Sequence, residues 1–317
     1  MSEILDVVSI DNGLMNLKGK SKHGEIIYQN RCSVGFTDAN LKGENTFNVK
    51  YGMKEWTIGE NGSESQKLEG KDSEFHVVSC LTAITRLFPK KELIASKENK
   101  GGGKKLVLIY FESMNRYFNE EHKNNLKTLF EGFHKIYVDG EEFIFTIEIC
   151  NILPEGIGHI LMNMRAYTGV RTSIDMGGGT INFVRTINGR PSEDSFSMPL
   201  GMHNIAAKVS KEISKAKAGN FDDNSIREFI RHGCSNNEIN KIIDNIIFEQ
   251  FRILDNTLAG FGIDIHKLLE VDYIGGTSQE FSSQIRKYYA NARVHEEGIM
   301  SNVRGGYEYG RVKYSIK

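Results

Sequence analysis

Two stretches about 160 residues apart hold the residues whose types and spacing can do chemistry. The first reads Ser9-Ile10-Asp11-Asn12-Gly13-Leu14-Met15-Asn16-Leu17-Lys18. The second reads Ser173-Ile174-Asp175-Met176-Gly177-Gly178-Gly179-Thr180-Ile181. Each runs from apolar residues into an aspartate, then a glycine two positions on, then an apolar return. Glycine lets successive backbone N–H groups turn inward onto phosphate oxygens with no Cβ in the way. A bare aspartate at that turn repels phosphate, so its natural companion is a divalent cation. Mg²⁺ keeps several of its waters, and carboxylates hold it through them. Lys18, five residues past Gly13, can reach back to the same place with a cation. A third segment, Val271-Asp272-Tyr273-Ile274-Gly275-Gly276-Thr277-Ser278, again joins an apolar run to a Gly-Gly pair and a helix start. Two glycines there admit a flat or anionic ligand to the backbone. The competing reading is three ordinary glycine turns with solvated aspartates. Matched offsets in the two halves favour the phosphate clamp.

The elements that must carry these loops read as follows. Strands are expected at residues 5–10, 14–18 and 25–28, joined by turn residues. Val77, Val78, Leu81, Ile84, Leu87 and Phe88 make a helical stripe over 72–88 that ends at Pro89. Residues 96–105 form a polar, glycine-rich loop, 106–111 a buried strand, 119–132 a polar-faced helix and 134–153 further strand. Pro154 is expected to open a helix reaching about residue 166, with Glu155 in its first turn, where the helix dipole favours an acid. In the second half, strands at 172–175 and 181–187 precede helices at 202–217, 223–232 and 236–262. The strand 271–274, a helix over 278–290 and a glycine-containing helix over 301–311 complete the chain. A repeat half the chain apart indicates duplicated lobes, since solenoid periods are about 20–50 residues. His203 reads as a helix-start or domain-contact residue, and Trp56, Tyr307 and Tyr309 as packing residues.

Composition bounds the reading. The chain has 317 residues, 40 Lys+Arg against 41 Asp+Glu, and 39% hydrophobic residues. That suits roughly two soluble domains and excludes whole-chain disorder. A balance this even lacks the basic field that non-specific nucleic-acid binding uses. The first residues are acidic where a secretory signal is basic, and no apolar run approaches the about twenty residues of a membrane span. Cys32, Cys80, Cys150 and Cys234 are widely spaced, which suits buried reduced thiols in a cytoplasmic protein.

The three loops in this order resemble the nucleotide site of the actin, sugar-kinase and heat-shock chaperone superfamily. Within it the chain is most similar to the ParM-type bacterial actins that segregate plasmids. The residues that carry this are Ile10-Asp11-x-Gly13-x-x-Asn16-x-Lys18, Leu153-Pro154-Glu155, Leu200-Gly201 and Arg304-Gly305-x-Tyr307-x-x-Gly310. The resemblance implies an α/β, two-lobed actin-like fold of the duplicated ribonuclease H-like kind, with a nucleotide cleft between lobes. Lobe I is expected over 1–165, with 296–317 returning to it, and lobe II over 166–295. By resemblance, Asp11 and Asp175 organise the waters of Mg²⁺, Lys18 contacts the β- and γ-phosphates, and Glu155 orients or activates the attacking water. Gly13 and Asn16 belong to the first phosphate loop, Gly177, Gly178, Gly179 and Thr180 to the second, and Gly275, Gly276 and Thr277 to the adenosine loop. Two departures stand out. Leu14-Met15 replaces the small hydroxyl residues usual in the first loop, and Thr277 stands where a third glycine is common.

The function this implies is a filament-forming ATPase, using ATP or GTP with Mg²⁺, that segregates plasmid DNA in the bacterial cytoplasm. Its partners are further copies of itself and a DNA-binding adaptor, with no direct contact to nucleic acid or membrane. The alternative on the same fold is a small-molecule kinase, for which no segment supplies an evident acceptor pocket with its aspartate base. A chaperone is less well matched, because no peptide-binding domain follows the second lobe.

Overall fold

Seven consecutive buried residues, Asp6–Asn12, form strand β1 in the computed structural model, which describes residues 5–63, 71–94, 103–162 and 169–314. A strand buried along its whole length belongs in the middle of a sheet covered on both faces. The chain divides into two compact units, Met1–Met164 with Asn302–Lys317, and Arg165–Ser301. The return to the first unit falls at Asn302, so residues 296–301 stay with the second. A division at residue 165 lies outside the described residues.

In the first unit β1 is followed by β2 (Asn16–Ser21), β3 (Gly24–Gln29), β4 (Cys32–Val34), β5 (Thr46–Tyr51) and β6 (Lys54–Gly59). Next come α1 (Glu74–Leu87), β7 (Lys104–Glu112), α2 (Met114–Tyr117), α3 (Glu120–Phe130), β8 (Gly132–Val138), β9 (Glu141–Pro154) and α4 (Gly158–Met162). The second unit holds β10 (Val170–Met176), β11 (Ile181–Ile187), β12 (Arg190–Pro191), β13 (Phe196–Met198), α5 (Met202–Lys215), α6 (Asp223–His232) and α7 (Asn237–Gly260). It continues with β14 (Val271–Ile274), α8 (Gly276–Glu280), α9 (Ser282–Tyr288) and β15 (Ala292–Val294), and α10 (Ser301–Lys313) closes the described chain.

The sheets show the duplication directly. Among the described residues one has the order β3-β2-β1-β7-β9-β8-β5-β6-β4, and the other β12-β11-β10-β14-β15. In both, a central strand (β1 or β10) pairs antiparallel with the next strand and parallel with a later one. A second parallel neighbour follows, β9 in one unit and β15 in the other. The first unit extends this core with β8, β5, β6 and β4.

Alternation along β1 and β7 assigns the two faces of the first sheet. Val8, Ile10, Leu108 and Tyr110 join α1 in one hydrophobic cluster. Val7, Ser9, Ile109 and Phe111 face α10, where Gly306 and Gly310 bring the helix backbone against them. A Cβ on Gly305 would lie 1.9 Å from the Gly158 carbonyl oxygen. Gly305→Ala is therefore expected to destabilise the fold by about 1–3 kcal/mol of overpacking, more than the about 1 kcal/mol alanine gains in a helix. Denaturant unfolding of the variant checks this.

In the second unit α7 buries Ile239, Ile243, Ile246, Ile247, Phe251, Leu254 and Leu258, the expected stripe. Asp222 and Asn236 cap α6 and α7 by accepting from the N–H groups of Ser225 and Glu238.

Several local expectations are corrected. Lys104 and Lys105 belong to β7 rather than to a loop; residues 96–102 lie outside the described residues. The helix expected over 278–290 is two helices, broken at Phe281. Pro154 ends β9 instead of opening a helix; α4 begins at Gly158, and residues 163–168 of the expected helix lie outside the described residues. Proline has no N–H to carry a ladder further, and the pairing of β9 with β7 stops there. Cys32, Cys80 and Cys150 are buried as expected, while Cys234 is partly exposed.

Candidate functional site

Asp11 lies near the end of β1 and is 3% exposed. Its antiparallel partner in β2 is Lys18. That register places the Lys18 ammonium 2.9 Å from Asp11 Oδ2, so Lys18 is an ion-paired residue rather than a solvated one. Asn302 Nδ2 donates to the same oxygen at 3.2 Å. Burial opposes charge on Asp11, but the ammonium groups of Lys18 and Lys71 and these hydrogen bonds outweigh it and hold its carboxyl below the usual range. Gly13 follows in the turn, and its carbonyl accepts from Asn30 Nδ2 at 2.7 Å. Asn30 also donates to Asn12 Oδ1 and accepts from Ser79 Oγ, while Asn12 Nδ2 donates to the His76 carbonyl. Four buried polar groups thus fix the turn against α1. Asn16 opens β2 opposite Gln29.

Glu155 sits in the turn between β9 and α4, not in a helical first turn. Its backbone N–H donates to the Glu112 carbonyl at 2.7 Å. Its side chain meets Lys71, a residue that sequence reasoning missed. Lys71 is 8% exposed, and its Nζ lies 2.5 Å from Glu155 Oε1, 2.7 Å from the Phe111 carbonyl and 3.8 Å from Asp11 Oδ1. Burial works against the ammonium charge, but Glu155, Asp11 and Glu112 together drive its pKa upward. Glu112 is itself buried; a hydrogen bond from His122 at 2.9 Å, the Lys71 charge and the Ser113 N–H overcome that burial and hold its carboxyl low.

In the second unit Asp175 occupies the matching place near the end of β10, 7% exposed, with Asn182 as its antiparallel partner. Asp11 and Lys18 are separated by the same seven positions as Asp175 and Asn182, so the repeat holds residue for residue. The glycine loop then leans on the start of α5. Gly201, Met202 and His203 donate their N–H groups to the carbonyls of Gly179, Gly177 and Gly178 at 3.2, 3.2 and 2.9 Å. This satisfies donors a helix start leaves open. It also turns the loop carbonyls toward α5. Among the described residues, the N–H groups of Gly178 and Gly179 donate to no acceptor. Gly201 must be glycine for this contact, since a Cβ would lie 2.5 Å from the Gly179 carbonyl carbon. Gly177 closes the turn by donating to the Thr180 carbonyl at 2.8 Å. His203 Nδ1 lies 2.7 Å from Arg227 Nη2, and a guanidinium only donates, so this nitrogen is the acceptor.

The third loop joins the second within the same unit. Gly275 has φ +87°, and a Cβ there would lie 2.4 Å from Asp175 Oδ1. Thr277 Oγ1 donates to the Gly177 carbonyl at 2.9 Å. The third glycine of the usual pattern is thus replaced by a hydroxyl that ties the two loops. Gly276 starts α8, whose last residues Gln279 and Glu280 line a hollow of about 640 Å³ with Arg231, Asn240, Asp244 and Gln284. Glu280 Oε1 accepts from Arg231 Nε at 2.8 Å.

Residues 9–158 match the family model described as actin like proteins N terminal domain. Nearly the whole chain matches solved structures of that kind. With an archaeal actin homologue, Ta0583, the TM-score is 0.78 at 16% identity, covering 97% of this chain and 100% of the other. The chain has an actin-like fold. The apo ParM protein of psk41 gives 0.72 at 15% identity, over 99% of each chain. A ParM subunit from a 15-stranded filament of Clostridium botulinum gives 0.74 at 16%, over 98% and 99%. No curated protein matches the sequence at a significant level. The archaeal homologue also has a structure in complex with ADP. Among the described residues, no helix is long and apolar enough to cross a membrane.

The expected site residues thus fall into groups. Asp11, Gly13, Asn16, Lys18 and Glu155 lie in the first unit, with Lys71, Asn302, Asn30 and Glu112 added to them. Asp175, Gly177, Gly178, Gly179, Thr180, Gly275, Gly276 and Thr277 lie in the second. Asp11 in the first unit and Asp175 in the second each offer hard carboxylate oxygens, the donor type that a hydrated Mg²⁺ takes. The glycine loop fits phosphate, with open N–H groups and no Cβ to fill it.

Proposed function

We propose that this chain binds a magnesium nucleotide, hydrolyses it, and assembles into filaments whose lifetime the hydrolysis sets. The observation that carries the reading is the residue-for-residue match of the two strand-end loops, one around Asp11 and Lys18, the other around Asp175 and Asn182. Asp11 and Asp175 would hold Mg²⁺ through its waters, and the ion would offset phosphate charge when bound. Lys18 would contact the β- and γ-phosphates, and the loop from Gly177 to Thr180 would cradle phosphate oxygens with its N–H groups. Glu155 would orient the attacking water and take its proton. The water oxygen then bonds to the γ-phosphorus, the bond from that phosphorus to the bridging oxygen breaks, and nucleoside diphosphate and inorganic phosphate leave.

The likeness to ParM structures supports the further reading that the filaments move plasmid DNA through a DNA-binding adaptor in the bacterial cytoplasm. Filament growth from repeated head-to-tail contacts needs no closed symmetry. At micromolar protein with Mg²⁺ and ATP, GTP or a slowly hydrolysed analogue, the chain is expected to pellet on centrifugation. No pelleting with any of them would overturn the reading.

A further inference from the structure

We propose that Lys71 is a positioning residue for hydrolysis, acting through Glu155. This rests on the reading of Glu155 as the group that orients the attacking water. Burying an ammonium is expensive unless carboxylates and hydrogen bonds compensate it. At Lys71 the compensation is aimed at one residue. The ammonium has three hydrogens. The Phe111 carbonyl takes one at 2.7 Å and Glu155 Oε1 another at 2.5 Å. Asp11 Oδ1 stands at 3.8 Å, attracted but beyond hydrogen-bond reach. Lys71 is thereby tied to the backbone of β7 and spends its strongest contact on Glu155.

The partner side of that contact is equally fixed. The Glu155 N–H is bonded to the Glu112 carbonyl at 2.7 Å, and the Gly156 N–H to Asn302 Oδ1 at 3.0 Å. The backbone at Glu155 is therefore fixed by these two hydrogen bonds, and its carboxylate is held by Lys71. Glu112 supplies a further negative charge near Lys71, and His122 hydrogen-bonds that carboxylate. A side chain that must present one oxygen to a water within a fraction of an ångström needs this kind of two-point hold. Lys18 stands on the other side of Asp11, with its ammonium 2.9 Å from Oδ2.

The test is a double-mutant cycle of Lys71→Met and Glu155→Gln in the full chain, read by phosphate release, nucleotide affinity and nucleotide-dependent pelleting. Lys71→Met is expected to lower kcat about 10- to 100-fold, a positioning share of the about 10²–10⁴ that general-base help is worth. Nucleotide affinity and pelleting are expected to stay within about three-fold of wild type, since the phosphate loops are untouched. The double variant is expected to be no slower than Glu155→Gln alone, because a residue acting through Glu155 has nothing left to position. It also removes one charge of each sign, so it reports on the pair even if Lys71→Met folds poorly. Wild-type turnover in Lys71→Met, or fully multiplicative losses in the double variant, would overturn the proposal and leave the role of Glu155 standing. Normal turnover in Glu155→Gln would overturn both.

Discussion

Glu155→Gln is expected to slow phosphate release about 10²–10⁴-fold, the usual worth of a positioned acid–base group, while nucleotide-dependent assembly persists. The amide keeps the shape of the carboxylate, and its oxygen still accepts from Lys71, so the buried ammonium is not stranded. It cannot take up the proton of the attacking water. The loops that would grip phosphate are elsewhere, at Gly13 and Lys18 and at residues 177–180, and the substitution leaves their hydrogen bonds intact. Binding and assembly should therefore survive and the timer should stop. Wild-type pellets are expected to dissolve as nucleotide is consumed, and those of the variant to last far longer. Phosphate release measured beside sedimentation separates the two effects. Release within about three-fold of wild type would remove Glu155 from the chemistry.

The loops were legible in the sequence for a local reason. Asp followed by Gly at fixed offsets after an apolar run is written in adjacent residues, and the fold reproduces it at Asp11 and Asp175 with the same strand register. Helices with long periodic stripes and clear punctuation were equally legible. The bounds of α6 match because Asp222 caps its start and Gly233, at φ +71°, ends it. The element after Pro154 was misread because proline suits both a first helical position and the end of a strand, and only pairing with β7 decides. Strands β4 to β6 are short and partly exposed, so they lack the apolar run that marks β7. Lys71 had no local signal at all. It stands in a polar stretch beside Asp72 and Ser73, 84 positions before the glutamate it contacts. Its meaning comes only from the three carboxylates that folding gathers around it.

Asp175→Ala is expected to abolish nucleotide-dependent pelleting in a protein that remains folded. Within the second unit, the turn after β14 comes against this side chain near the end of β10. The ladder sets Asp175 opposite Asn182, and the absent Cβ of Gly275 lets the third loop close to within 2.4 Å of Oδ1, measured to where that Cβ would stand. Thr277 then fastens the third loop to the second through the Gly177 carbonyl. Alanine brings no clash, and the protein is expected to remain folded. Near-wild-type unfolding in denaturant checks that. A companion, Gly275→Ala, keeps Asp175 but forces a Cβ against it at a φ of +87°, where side chains are strained. If the carboxylate must face a hydrated cation, both variants should fail to pellet with ATP or GTP. If the loops are only turns that stitch β10 to its neighbours, Asp175→Ala should still pellet, since it removes charge while leaving Thr277 bonded to Gly177. The pair therefore separates a ligand-holding aspartate from a structural one, because only the first reading makes a fold-neutral substitution costly.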